Sequence, residues 1–164
     1  MVLILEKVNG MMLHSSCVQL DVKAQDWQDA IRKACRPLMN EGFVTEGYDE
    51  DVIARELQWA TGLPTEPVGV AIPHSLTPQH VITAQIAACR LSQPVKFAQS
   101  GGTADDGKVD VSIIFVLALK DPKEQLSLLQ KLMAAISNEE MLASLMGTSA
   151  PLEFSNIFNG ASAE

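Results

Sequence analysis

Along the first third of the chain, apolar and polar positions change period twice. Val18, Leu20 and Val22 alternate with Gln19 and Asp21, the two-residue period of a half-buried strand. From Asp26 onward the apolar positions Ala30, Ile31, Ala34, Cys35 and Leu38 recur at helical spacing. Asp26 is suited to cap that helix, and Gly42 to end it in a left-handed conformation. A second helix is predicted over Glu50 to Trp59, with Asp49 as its cap and Val52, Ile53, Leu57 and Ala60 as its apolar face. Leu63 to Pro67 reads as a loop. Val68 to Ile72 reads as a short buried strand that breaks at Pro73, because proline cannot donate to a sheet ladder.

The second half is more regular. Val81 to Leu91 has the β-branched content of a strand, and residues 101–107, rich in Gly and Asp, read as a surface loop. Val109 to Leu119 is apolar almost throughout, which predicts a central strand covered on both faces. Pro122 is placed to open a helix lined by Leu126, Leu129, Leu132, Met133 and Ile136, and Asn138 to cap another carrying Met141, Leu142 and Leu145. Residues 148–164 read as a tail in which Pro151 opens a short helix, and Met1–Leu13 as an N-terminal arm or edge strand. Strands and helices alternate, yet several connections are too short for crossovers. The expectation is an α/β fold, a mixed β-sheet sandwiched between α-helices in three layers (α/β/α), as a single domain over residues 1–164.

Composition narrows the function classes. Hydrophobic residues at 47% and charged residues at 20% describe an ordinary globular chain rather than a disordered one. A formal charge of −8 speaks against nucleic acid or an anionic membrane as the main partner, since phosphate surfaces need Lys and Arg. The longest apolar run, Val111 to Leu119, has the length of a strand and not of a membrane span, so no direct membrane insertion is expected. The start MVLILEK has no basic region before its apolar stretch, which argues against a signal peptide. Cys17, Cys35 and Cys89 form no CxxC pair and fit buried thiols in a reducing compartment. A soluble, cytoplasmic protein is the expectation.

The chemistry centres on His74, which directly follows a buried strand and a proline. Pro73 fixes its own φ and restricts Ile72, so the backbone leading to His74 starts stiff. A neutral imidazole is a good nucleophile near pH 7, and the N–P bond it makes is reactive enough to be passed on. Spacing alone is a weak signal, since a single His after a Pro is more often a surface or satisfied core residue. His80 and His14 lack the Cys/His or HExxH pattern of a metal site, so no metal and no cofactor are expected. Cys89 lies inside an apolar strand, unsuited to a nucleophile pair, and Trp27 and Trp59 read as packing residues.

The stretch ARELQWATGLPTEPVGVAIPHS, followed in order by ITAQIAACRLSQPVKF and VDVSIIFVLALKDPKEQLSLLQKL, resembles enzyme IIA proteins of the bacterial sugar phosphotransferase system. The resemblance is to the fructose/mannitol type and within it the galactitol-like branch, from about Val18 to Met146. It implies a phosphotransferase component in which His74 takes a phosphoryl group on Nε2 from the phosphorylated histidine carrier protein. The group would pass to a Cys of enzyme IIB, with the membrane enzyme IIC involved indirectly in the uptake of galactitol or a related sugar. Arg55 matches the family's active-site arginine, whose guanidinium suits phosphoryl oxygens. Its neighbour Glu56 is expected on the solvent face. Gln125 stands where mannitol- and fructose-type members carry a second His, and it could donate to a phosphoryl oxygen without carrying charge or simply face solvent. The apolar residues Leu63, Val68 and Leu76 suggest a docking rim for a partner protein.

Two other readings remain open at this level. The chain could be a regulatory protein whose phosphorylation state at His74 controls binding to a target, without sugar transport. A hydrolase using His74 as base lacks a partnered Ser or Cys motif.

Overall fold

The computed structural model describes residues 13–75, 78–101 and 108–162, leaving aside the side chains of residues 78, 122–125, 161 and 162. Five strands form one sheet: β1 (Val18–Val22), β2 (Gly62–Leu63), β3 (Gly69–Ala71), β4 (Gln85–Ala98) and β5 (Lys108–Ala118). Their spatial order is β1-β4-β5-β3-β2. The sheet is mixed, as expected: β1 with β4 and β3 with β5 are parallel, while β4 with β5 and β2 with β3 are antiparallel. The helices are α1 (Trp27–Asn40), α2 (Tyr48–Gln58), α3 (Pro122–Ile136), α4 (Glu139–Met146) and α5 (Pro151–Ser162).

β5 takes the central position its composition predicts, and Val111 to Ala118 are all buried. On one side Phe115 stacks on Phe158 of α5 with ring centroids 5.0 Å apart, and Phe154 also approaches it. The predicted tail helix is thus a core element of twelve residues. On the other side α1 buries Ala30, Ile31, Ala34, Cys35 and Leu38, each at 0% exposure. Burying one Leu or Ile side chain in this way stabilises by about 2 kcal/mol, so this stripe is what holds α1 to the sheet.

Local chemistry sets the ends of α1. The Asp26 carboxylate accepts from the Asp29 backbone N–H at 2.8 Å, capping the first turn. Pro37 lies inside the helix and cannot donate to the Lys33 carbonyl four residues back. That carbonyl instead accepts from the Gln19 side-chain amide of β1 at 2.7 Å. At the C-terminus Gly42 has φ +78°, its N–H donates to the Met39 carbonyl, and the Phe43 N–H donates to the Leu38 carbonyl. This is a Schellman closure, and the left-handed residue it needs is the reason for glycine there.

Several expectations are corrected. Asp49 does not cap α2: the helix starts at Tyr48 with Gly47 at the N-cap, and Asp49 falls in the first turn. Val81 lies outside β4 and bridges Val44, while β4 runs beyond Leu91 to Ala98. Pro94 fits within that strand because the register with β5 shifts between Arg90 and Val95, a bulge that relieves the ladder of its missing donor. The predicted loop from Leu63 begins in fact as the two-residue strand β2. Of the predicted arm only Leu13 lies within the described residues. It is buried, and its backbone N–H and C=O both bond the Asn159 side chain of α5.

Candidate active site

The frame for His74 is built at one end of β3. Gly69 lies against β5 so closely that a Cβ there would collide with the Asp110 carbonyl oxygen, which keeps the strand tight against the sheet centre. β3 ends at Ala71, and Ile72 leaves the ladder. Its N–H is received by the Thr61 hydroxyl at 3.2 Å. The Pro73 carbonyl then accepts from the Leu117 N–H at 3.3 Å, and His74 forms an isolated bridge with Leu117. Leu117 is itself fixed from α2, whose Tyr48 hydroxyl donates to the Leu117 carbonyl at 2.7 Å. His74 therefore sits at the sheet rim on backbone held from two sides.

The imidazole is half-buried, and its Nδ1 lies 2.8 Å from the Ile72 carbonyl oxygen. A carbonyl can only accept, so Nδ1 carries the proton and Nε2 carries the lone pair. The acceptor that sets the tautomer is thus backbone from two residues earlier, which no side-chain motif could announce. Burial lowers the His74 pKa below its usual 6.5, opposed by the bond to Ile72 and reinforced by the positive charge of Arg55. The ring is neutral near pH 7, the state a nucleophile requires.

Arg55 and His74 line one cleft of about 540 Å³, together with Trp59, Thr61, Leu129 and Met133. Arg55 reaches it from the last turn of α2, with its guanidinium carbon 4.0 Å from the centroid of the Trp59 ring. Its Nε is buried and has no hydrogen-bond partner among the described residues. Trp59 is 55% exposed, so it is a platform under the guanidinium and not the packing residue its sequence context suggested. Trp27 does pack, against Phe97 at 6.4 Å.

Glu56 reverses the expected solvent placement. It is only 6% exposed, and its two carboxylate oxygens accept from the Thr61 N–H and the Thr61 hydroxyl, each at 2.8 Å. Burial raises its pKa to about 7, with the Thr61 bonds acting the other way. Tyr48, Val52 and Glu56, spaced by four, are the buried line of α2, whereas Leu57 is 70% exposed. That spacing was the available signal for Glu56.

The other candidates divide. Gln125 lies in the first turn of α3, four and eight residues before the cleft residues Leu129 and Met133, and its side chain lies outside the described residues. Leu63 lines the cleft, Val68 packs on the core, and Leu76 is outside the described residues. His80 is engaged elsewhere, with Nδ1 2.9 Å from the Thr45 hydroxyl and Nε2 3.4 Å from Asp51. Among the described residues no three His, Cys, Asp or Glu side chains gather as a metal site. The cysteines are buried and free, and burial pushes the Cys89 pKa up to about 12, which makes it a poor nucleophile.

Residues 11–161, nearly the whole chain, match the family described as phosphoenolpyruvate-dependent sugar phosphotransferase system, EIIA 2. The chain is similar to the multiphosphoryl transfer protein of Haemophilus influenzae, with 32% identity over 148 residues, covering 90% of this chain and 28% of that protein. It thus spans little more than a quarter of that relative's length. It is also similar to the PTS system galactitol-specific EIIA component of Escherichia coli strain K12, with 26% identity over 129 residues and coverage of 79% and 83%. Among solved structures, nitrogen regulatory protein IIA-Ntr from Neisseria meningitidis superposes with a TM-score of 0.72 and 31% identity over 95% of this chain and 99% of that one. The fold, the order of the elements and the extent of the family match agree, and the chain belongs to the type 2 EIIA family of the sugar phosphotransferase system as a phosphotransferase component.

Proposed function

We propose that this chain is a phosphocarrier that accepts a phosphoryl group on His74 Nε2 from the phosphorylated histidine carrier protein and passes it to a Cys of enzyme IIB. The observation that carries the reading is the bond from His74 Nδ1–H to the Ile72 carbonyl, which leaves Nε2 as the lone-pair atom of a residue lining the Arg55 cleft. In the first step Nε2 attacks phosphorus as the donor's N–P bond breaks, its electron pair returning to the donor imidazole. The phosphorylated ring keeps its Nδ1 proton, and the Ile72 carbonyl faces the positive charge that results. In the second step a Cys thiolate attacks, and the N–P electron pair returns to Nε2.

Arg55 is assigned to the phosphoryl oxygens, where a guanidinium can bind two at once. Gln125 is assigned as a neutral donor to the phosphoryl group, a role supported by its sequence register with the cleft residues Leu129 and Met133. The similarity to galactitol-specific EIIA components supports galactitol or a related sugar as the transported substrate, with enzyme IIC as an indirect partner. A cytoplasmic location follows from those partners, and among the described residues no helix is long and apolar enough to cross a membrane.

Incubation with phosphorylated histidine carrier, followed by mapping of the label by mass spectrometry, tests the reading. Label is expected on His74, lost in His74→Ala, and discharged on adding enzyme IIB. Label elsewhere, or persisting in His74→Ala, rejects it. Label on His74 that no IIB discharges, with recovery of a kinase or transcription factor in a pull-down, supports the regulatory alternative.

A further inference from the structure

The end of β3 carries a chain of bonds that starts outside the cleft chemistry and finishes at the imidazole. Glu56 Oε1 accepts from the Thr61 hydroxyl, the same hydroxyl accepts from the Ile72 N–H, and the Ile72 carbonyl accepts from His74 Nδ1–H. Glu56 Oε2 meanwhile holds the Thr61 N–H. Every donor in this chain is matched to an acceptor. A hydroxyl has one proton to give, and that proton is committed to Glu56, so its lone pairs are turned to Ile72.

The position of this chain is informative. Gly62 pairs with Ala71 in the β2–β3 ladder, so Thr61 and Ile72 occupy the next place beyond the last ladder pair. There the Thr61 side chain does what a backbone carbonyl would have done. Ile72 also precedes Pro73, so the peptide joining them has no N–H by which it could be fixed. Beside the Thr61 bond, this stretch is held by His74's own bond to Ile72 and by the bond from Leu117 to Pro73. Thr61 is 8% exposed and Glu56 6%, so water does not readily substitute for either partner.

We propose that Thr61 and Glu56 are positioning residues for His74, holding Ile72 so that its carbonyl keeps the imidazole in the Nδ1–H tautomer with Nε2 free to take the phosphoryl group. The proposal rests on the phosphocarrier reading for its consequence, while its structural content is the tautomer itself. Removing the hydroxyl leaves the Ile72 N–H and one Glu56 oxygen unpaired in a buried site. The carbonyl of Ile72 then loses its fixed direction, and the ring can turn or exchange its proton to Nε2. Outer partners that orient a metal-bound imidazole typically cost about 10- to 100-fold when removed, and a loss of the same order is expected for this imidazole.

The experiment compares wild type, Thr61→Val and Thr61→Ser at pH 8 with 15N-labelled histidine. The two-bond nitrogen–proton correlations of the ring report the tautomer directly, and single-turnover phosphorylation by the phosphorylated histidine carrier reports the rate. Wild type is expected in the Nδ1–H tautomer. Thr61→Val is expected to mix tautomers and to lose at least tenfold in rate at saturating donor with the donor KM unchanged. Thr61→Ser, which restores the hydroxyl, should recover both. A folded Thr61→Val with the wild-type tautomer overturns the proposal, whether or not its rate falls. Should Thr61→Val fail to fold, Thr61→Ala decides: it too removes the hydroxyl but sets no methyl against Glu56, and an unchanged His74 tautomer there overturns the proposal as well. If wild type shows the Nδ1–H tautomer but takes no phosphoryl group, the phosphocarrier reading fails, and the tautomer comparison still decides the role of Thr61 and Glu56.

Discussion

The guanidinium of Arg55 lies over the face of Trp59, four residues further on, at 4.0 Å from guanidinium carbon to ring centroid. The contact spans the C-terminus of α2, whose last helical residue is Gln58, so the tryptophan stands where the chain turns toward β2. A long flexible side chain is thereby held in place in an open cleft. A cation–π contact at a half-exposed site contributes about 1 kcal/mol, enough to favour one orientation of the guanidinium fork roughly fivefold.

Arg55→Ala is expected to slow phosphoryl acceptance by about a hundredfold, as loss of a charged donor to a transferring phosphoryl group does, without loss of the cooperative melt. Trp59→Ala should lose less, about fivefold, the orientation preference that the contact supplies, and Trp59→Phe should keep most of the rate because it keeps a ring face. Rapid-quench phosphorylation together with thermal melts checks this. A broad, non-cooperative melt for Arg55→Ala would assign that residue to the fold instead.

The pH dependence of acceptance follows from the neutral ring. The folded pKa of His74 lies below 6.5, and the reactive form is the deprotonated one. The rate should therefore stay level from pH 8 down to about 6.5 and decline only below it. The contribution to stability has the same sign. It is present above the unfolded pKa and is lost as pH falls through the folded one. A single-turnover pH profile with its midpoint above 6.5 contradicts this reading.

Glu56 has the opposite linkage. Its folded pKa is about 7 against an ordinary 4.5, so the unfolded chain ionises first as pH rises. The stability Glu56 allows is full below pH 4.5 and falls as pH rises through 7. At 1.4 kcal/mol per unit, the loss is about 3 kcal/mol. Glu56→Gln removes it, so urea denaturation should show the variant gaining on wild type by about that amount between pH 4.5 and 8. A difference that does not change with pH rejects the assignment. Relative to its own deficit at pH 4.5, the variant is expected to recover toward wild type, or beyond it, by pH 8.

What the sequence disclosed and what it withheld separate along a physical line. β5 was legible because an apolar strand covered on both faces needs no alternation, and the caps at Asp26 and Asn138 because one side chain satisfies a nearby backbone N–H. His74 stood out as a candidate from the strand and proline before it and from the resemblance those residues carry, and the placement of its ring at the rim of the Arg55 cleft agrees with that candidacy. Glu56 was misplaced because Leu57 and Ala60 pulled the apolar face of α2 round by a residue. Its burial depends on Thr61, which lies beyond the helix end. β2 has two residues, too few for any period to register. The length of β4 was hidden by Pro94, whose tolerance comes from a bulge defined by the neighbouring strand.

Arg90 shows the same dependence on tertiary context and yields the last expectation. It is 6% exposed in the middle of β4, flanked by apolar residues. Its Nη1 donates to the carbonyls of Leu145 at 3.0 Å, Met146 at 3.3 Å and Thr148 at 2.7 Å, and to the Thr148 hydroxyl at 3.0 Å. Leu145 and Met146 close α4 and Thr148 follows just beyond it, at a helix end where intrahelical N–H partners run out and positive charge is favoured. Nη2 reaches the exposed Asp21 at 3.1 Å, so the charge is paired at its outer end. Arg90→Met keeps the apolar stem and removes every donor. Thr148 still donates to the Leu145 carbonyl, but the other acceptors lose their partner. With about 1–3 kcal/mol for a buried polar group left unpaired, a loss on the order of 3 kcal/mol is expected in urea denaturation. Arg90 does not line the cleft, so phosphoryl acceptance well below the melting temperature should match wild type. A loss under 1 kcal/mol, or a rate that falls while the fold holds, contradicts a purely structural role.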